Sequence, residues 1–117
     1  MTGVSESSQQ SSNLKDEGYV YIAEQAGVIL AFSVVLPLSD GNAELDGLFV
    51  EPTTWYQGIG KQLVQTVLNN LHTKGKTSLR VLSNPQVEGF YIALGFERLG
   101  EEYTQLGTAI CMIKYTQ

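Results

Sequence analysis

Two carboxylates, Glu44 and Asp46, stand two residues apart in the run Ala43-Glu44-Leu45-Asp46-Gly47-Leu48-Phe49-Val50. On an extended strand that spacing puts both on one face, where either could take a proton from a nucleophile. The pair reads equally well as two solvated acids, the usual fate of such side chains. Further along, Gly58-Ile59-Gly60-Lys61 opens an amphipathic run. Glycines at a helix start let backbone N–H groups close on a ligand, and the helix end adds partial positive charge. A pyrophosphate could be held there without a metal, with Lys61 adding its own charge. A Gly-x-Gly pair also makes ordinary tight turns, and here it lacks the spacing of a P-loop and the third glycine of a dinucleotide fingerprint.

Tyr91 offers a phenol that could donate a proton, or it could be a packed aromatic. Because Phe90 and Tyr91 are adjacent, only one can centre a buried helix face, and Phe90 is assigned to the core. Asn84 before Pro85 has the chemistry of a helix cap followed by proline at the first position. His72, near the end of the amphipathic run, reads as a helix-terminus residue. Cys111, the single cysteine, lies in the apolar run Ala109-Ile110-Cys111-Met112-Ile113 and reads as a buried, inert thiol. No His, Cys and carboxylate cluster has ligand spacing, so no metal is expected.

These residues need a scaffold. Tyr19 to Ala23 and Val28 to Val35 read as two strands joined by a turn near Gln25-Ala26-Gly27, and Ala43 to Val50 as a third strand closed by Pro52. From Gly58 the period lengthens: Ile59, Leu63, Val67, Leu68 and Leu71 recur at three- and four-residue steps, giving a helix that stops at Lys74-Gly75. A strand over Thr77 to Leu82, a second helix from Asn84 to Gly95 and a closing hairpin from Phe96 to Tyr115, with its turn near Tyr103 to Gly107 and its last strand over Ala109 to Tyr115, follow. The order strand, strand, strand, helix, strand, helix, strand, strand predicts an α/β (α+β) mixed sheet with helices packed on it.

Residues Met1 to Glu17 are rich in Ser, Gln and Asn, and residues 1–17 are expected to form a flexible polar tail, with residues 18–117 one domain. A chain of 117 residues suits one core, and 43% hydrophobic with 16% charged residues suits a globular fold. Twelve acidic residues against seven basic ones give a net charge of -5, which argues against nucleic acid and weakly favours cationic ligands. No stretch reaches membrane-span length and no signal-peptide layout opens the chain, so a cytoplasmic protein with no membrane partner is expected.

Three segments together, Ala43 to Pro52, Gly58-Ile59-Gly60-Lys61-Gln62-Leu63, and Asn84-Pro85-Gln86-Val87-Glu88-Gly89-Phe90-Tyr91-Ile92-Ala93-Leu94-Gly95-Phe96, resemble the GNAT acetyltransferase superfamily. The resemblance spans roughly Tyr19 to Tyr115. It implies an acyl-CoA acyltransferase fold with acetyl-CoA as cosubstrate: Phe49 and Val50 at the pantetheine arm, and Gln57, Gly58, Ile59, Gly60 and Lys61 around the pyrophosphate. It also implies Asn84 on the CoA arm, Glu44 as base ahead of Asp46, and Tyr91 as acid in the intact Phe-Tyr-x-x-x-Gly-Phe pattern. Trp55 stands where the family's Arg/Gln-x-x-Gly-x-Gly/Ala signature has Arg or Gln.

A full-length member carries one more strand and two helices ahead of the strand at Tyr19, and those helices wall the acceptor cleft. This chain is expected to lack all three, which exposes sheet surface and predicts a homodimer. Three functions remain open: an N-acetyltransferase acting on a small-molecule or protein amine, a non-catalytic acyl-CoA-binding module, and an interaction domain that keeps only the fold.

Overall fold

The computed structural model describes residues 3–10, 17–38, 40–55 and 57–116. Among the described residues, seven strands form one sheet: β1 (Gly3–Gln10), β2 (Glu17–Gln25), β3 (Val28–Pro37), β4 (Ala43–Val50), β5 (Ser78–Ser83), β6 (Glu97–Thr104) and β7 (Gly107–Tyr115). Helix α1 (Ile59–Thr73) links β4 to β5, and α2 (Glu88–Ala93) links β5 to β6. The spatial order is β1-β2-β3-β4-β5-β7-β6. Every neighbouring pair is antiparallel except β4 with β5, which is parallel because α1 carries the chain back across the sheet.

Local chemistry explains most of these elements. Ala26 and Gly27 both take positive φ between β2 and β3, the mirror-image two-residue turn that matches strand twist. Along α1, Ile59, Leu63, Val67, Leu68 and Leu71 are buried as their spacing predicts, and Val64 and Gly60 join them. Lys74 ends the helix, and Gly75 follows at φ 80 with its N–H donating to the carbonyl of His72. The helix lies on a face of the sheet formed by Tyr21, Ala23, Ala31, Val35, Ala43, Leu45, Leu79 and Val81, all buried. Both α-helices pack into this one core, since Tyr91, Leu94 and Phe96 belong to the same buried cluster.

The sequence expectations need three corrections. Residues 3–10 are not a tail but strand β1, paired with β2 from Gly3↔Glu24 to Gln10↔Glu17. A ladder is made by the backbone, so an edge strand rich in Ser and Gln can form on backbone hydrogen bonds; Val4 packs against the core. The rest of that segment, residues 1–2 and 11–16, lies outside the described residues. The first strand is therefore present, whereas both described α-helices follow β4, and six residues of sequence separate β1 from β2. Second, Asn84-Pro85 begins a 3₁₀ turn (Pro85–Val87) rather than the α-helix itself, which starts at Glu88. Third, Tyr91 rather than Phe90 is the deeply buried aromatic: it is 5% exposed, while Phe90 is half-buried at the core's edge. In so short a helix Tyr91 and Leu94, three apart, share the inward face.

Candidate active site

Strands β4 and β5 pair only over Ala43↔Leu79, Glu44↔Arg80 and Leu45↔Val81. Beyond Leu45 the two strands part, and the cause lies on the other edge of β4. There the register with β3 shifts, Val35 facing Leu45 but Val34 facing Gly47, so Asp46 is an extra residue. A bulge bends and twists its strand, here at the residue where the parallel pairing stops.

Which backbone groups face the opening follows from the ladder. Glu51 N–H donates to the carbonyl of Leu30 at 2.7 Å, so Ala31 and Val50 are opposite one another without sharing bonds. Alternation along an antiparallel pair then turns the N–H and C=O of Val50 and of Leu48 away from β3, into the gap where β5 has left. Leu48 was not singled out by the sequence, because a backbone donor carries no side-chain signature.

Side chains divide by face. Leu45, Leu48 and Val50 pack toward the core under α1, while Glu44 and Phe49 alternate to the opposite face. Phe49 meets Phe32 there, ring centroids 5.5 Å apart, and the two are 44% and 42% exposed. No described helix covers them. Glu44, half-buried, is level with Arg80, whose guanidinium instead reaches Asp40 at 3.4 Å. Asp46 is exposed.

At the mouth of the gap, a 3₁₀ turn (Pro52–Thr54) leads to α1. Gly58 caps the helix at φ 81, a left-handed conformation that disfavours any side chain, and it has none to bond the first-turn amides. Ile59 buries its side chain in the core. Gly60 allows a close approach: a methyl there would lie 3.2 Å from Val50 Cγ2 and 3.4 Å from Phe90 Cζ, a tight contact that those side chains would have to shift to accept. Both glycines thus have structural reasons, and together they bring the helix end tight against β4. Gln57 and Lys61 are exposed beside it. Trp55 bridges turn and strand, its indole N–H donating to the carbonyl of Val50 at 2.9 Å.

Tyr91 sits between Phe90 and Phe96, edge-on to both at 5.0 and 5.3 Å. Burial pushes its phenol up to about 12, so it stays protonated at neutral pH. Glu44 and Tyr91 lie on opposite sides of the sheet, so only a molecule threaded between β4 and β5 could meet both. Asn84 accepts from Gln86 N–H at 2.9 Å, as a cap does, and lines an open cleft of about 680 Å³ with Leu82, Pro85, Thr104, Leu106 and Ala109. His72 is an exposed last-turn residue. Cys111 is half-buried; burial and then Glu102 push its thiol up, keeping it a thiol. Among the described residues no three His, Cys, Asp or Glu side chains gather as metal ligands, and no helix is long and apolar enough to cross a membrane.

A family model for an acetyltransferase (GNAT) domain matches residues 3–116. No curated protein sequence matches the chain. Among solved structures, the ribosomal-protein-S18-alanine N-acetyltransferase of Escherichia coli superposes with a TM-score of 0.81 at 20% identity, covering 100% of this chain and 95% of that one. The IAA acetyltransferase of Bacillus cereus gives 0.77 at 15% identity over 97% and 99%. An aminoglycoside 6'-N-acetyltransferase complexed with coenzyme A gives 0.79 at 17% identity over 86% and 73%. These likenesses show a shared fold.

Proposed function

The chain belongs to the GNAT acetyltransferase family, and on that premise we propose that it moves an acetyl group from acetyl-CoA to an amine by direct attack. The observation that carries this reading is the parting of β4 from β5 beside a glycine-opened helix, with the backbone groups of Leu48 and Val50 turned into the gap. The residues present fit such a cosubstrate. Amides of Gly58, Ile59 and Gly60 with Lys61 would meet the pyrophosphate, assisted by Gln57. Backbone groups around Phe49 and Val50 would meet the pantetheine amides, and Asn84 the far side of the arm. That the aminoglycoside enzyme was solved with coenzyme A supports the choice of ligand.

Acetyl-CoA supplies an activated acyl carbon; the chain's residues handle protons. Glu44 takes the proton from the attacking amine as the new C–N bond forms. The C–S bond then breaks, and Tyr91 O–H gives its proton to the leaving sulfur, to be restored from solvent. Burial keeps the phenol protonated at neutral pH, so its proton is in place when the thiolate forms, although it also makes Tyr91 a weaker acid than a free tyrosine. The acceptor is an amine on a small molecule or a protein, in keeping with the net charge of -5. One half-buried thiol suits a reducing, cytoplasmic setting. The exposed Phe32 and Phe49 support a homodimer in which a second copy covers this face; a monomeric mass by light scattering at high concentration would remove that part.

The test is Tyr91→Phe. Turnover should fall by about 100-fold or more, within the range for a lost general acid, while acetyl-CoA affinity stays within twofold. Equal rates in variant and parent would strip Tyr91 of the role. The open face of β4 favours a second reading, a non-catalytic acyl-CoA-binding module. Saturable acetyl-CoA binding without thioester loss across an amine panel would select it.

A further inference from the structure

Among the groups turned into the gap, the carbonyl of Val50 already has a partner, the indole N–H of Trp55. We propose that Trp55 is a gate on the pantetheine channel: its indole fills the acceptor that the cosubstrate's amide must use, and acyl-CoA enters only as the ring swings away. This inference rests on the acyl-CoA reading above and assigns a residue outside the sites already named.

Two observations and one rule of ladder geometry converge on it. The ladder fixes the direction of the Val50 carbonyl, since Glu51 N–H bonds Leu30 and leaves Val50 facing the opening. In a ladder each carbonyl accepts one N–H along the strand's edge, so an indole and an incoming amide compete for that approach. Finally, Trp55 is 55% exposed and outside the core cluster, so little packing opposes its departure. The bond spans five residues and ties the indole back to the strand that precedes it.

The gate trades one neutral hydrogen bond for another at the same oxygen. Removing the indole donor therefore should tighten acetyl-CoA binding by about 2- to 10-fold, the span of a single net hydrogen bond. Trp55 is also the only tryptophan in the chain, so its emission reports its own movement.

The experiment is a paired titration of acetyl-CoA into the full chain and into Trp55→Phe by calorimetry, with tryptophan emission and acrylamide quenching followed in the parent. The expected result is a tighter variant, together with red-shifted, more quenchable emission as the parent saturates. Heat of binding with unchanged emission and equal affinities would overturn the gate and leave the acyl-CoA reading standing. Weaker binding by the variant would also overturn it, making Trp55 a direct contact to the ligand. No heat from either protein would defeat the acyl-CoA reading and the gate together. The emission arm needs no variant, so a poorly folded Trp55→Phe does not remove the test.

Discussion

Strand β4 puts two unlike surfaces on opposite sides of one backbone. Leu45, Leu48 and Val50 lie against α1 and the buried core, whereas Glu44 and Phe49, alternating with them, face outward where no described helix lies. The first surface is a packed interior whose members were chosen for volume. The second keeps two carboxylates, two exposed phenylalanines and a strand edge that has left its neighbour. Stability and chemistry are therefore divided between the two faces, and the gap after Leu45 is where one can reach the other.

Substitutions can sharpen that division. On the packed face, Leu63→Ala should cost about 2 to 5 kcal/mol in urea unfolding, because Leu63 is fully buried and the cavity cannot collapse freely. Tyr91 shares that interior and adds a pH dependence. Its folded pKa is raised from about 10 to about 12, so its contribution is complete below pH 10 and is lost as pH rises toward 12. That rise corresponds to roughly 2 to 3 kcal/mol. Unfolding midpoints followed from pH 9 to 12 should fall in the parent and fall less in Tyr91→Phe.

At the junction of the faces, Gly58→Ala forces a side chain into a left-handed backbone and should cost about 1 to 2 kcal/mol, read as a lowered melting temperature. On the open face, Phe49→Ser should move stability by about 1 kcal/mol or less. A loss of several kcal/mol at dilutions where no dimer forms would mean that the chain itself covers the outward face, against the division between the two faces. The Asp40–Arg80 pair, with both side chains substantially exposed and screened by solvent, should contribute the least, and a double-mutant cycle should find no resolvable coupling.

The periodic elements were legible from sequence for a plain reason: burial leaves a pattern. The inward face of α1 is visible in Ile59, Leu63, Val67, Leu68 and Leu71, and β4 in its run from Ala43 to Val50 bounded by turn residues. Strand β1 is not legible in the sequence because its pairing with β2 is a backbone ladder, and its run of Ser, Glu and Gln has the composition of an unstructured segment. The exchange of Phe90 for Tyr91 escaped because adjacent aromatics on a six-residue helix leave too little periodicity to choose between them. Of the candidate site, Glu44, Tyr91 and the glycines stood out by type and motif. The bulge at Asp46, the inward turn of the Leu48 backbone and the Trp55 bond to Val50 depend on register, which one strand's sequence does not contain.

On the proposed reading, the gap between β4 and β5 receives an acyl-CoA. Calorimetric titration of acetyl-CoA into the full chain, with desulfo-CoA and ATP alongside, tests it most directly. Saturable binding of acetyl-CoA and desulfo-CoA, with ATP much weaker, is the predicted result, because pantetheine is the part that uses the Leu48 and Val50 backbone. Absence of acetyl-CoA binding at millimolar ligand, or ATP binding as tightly, would contradict it.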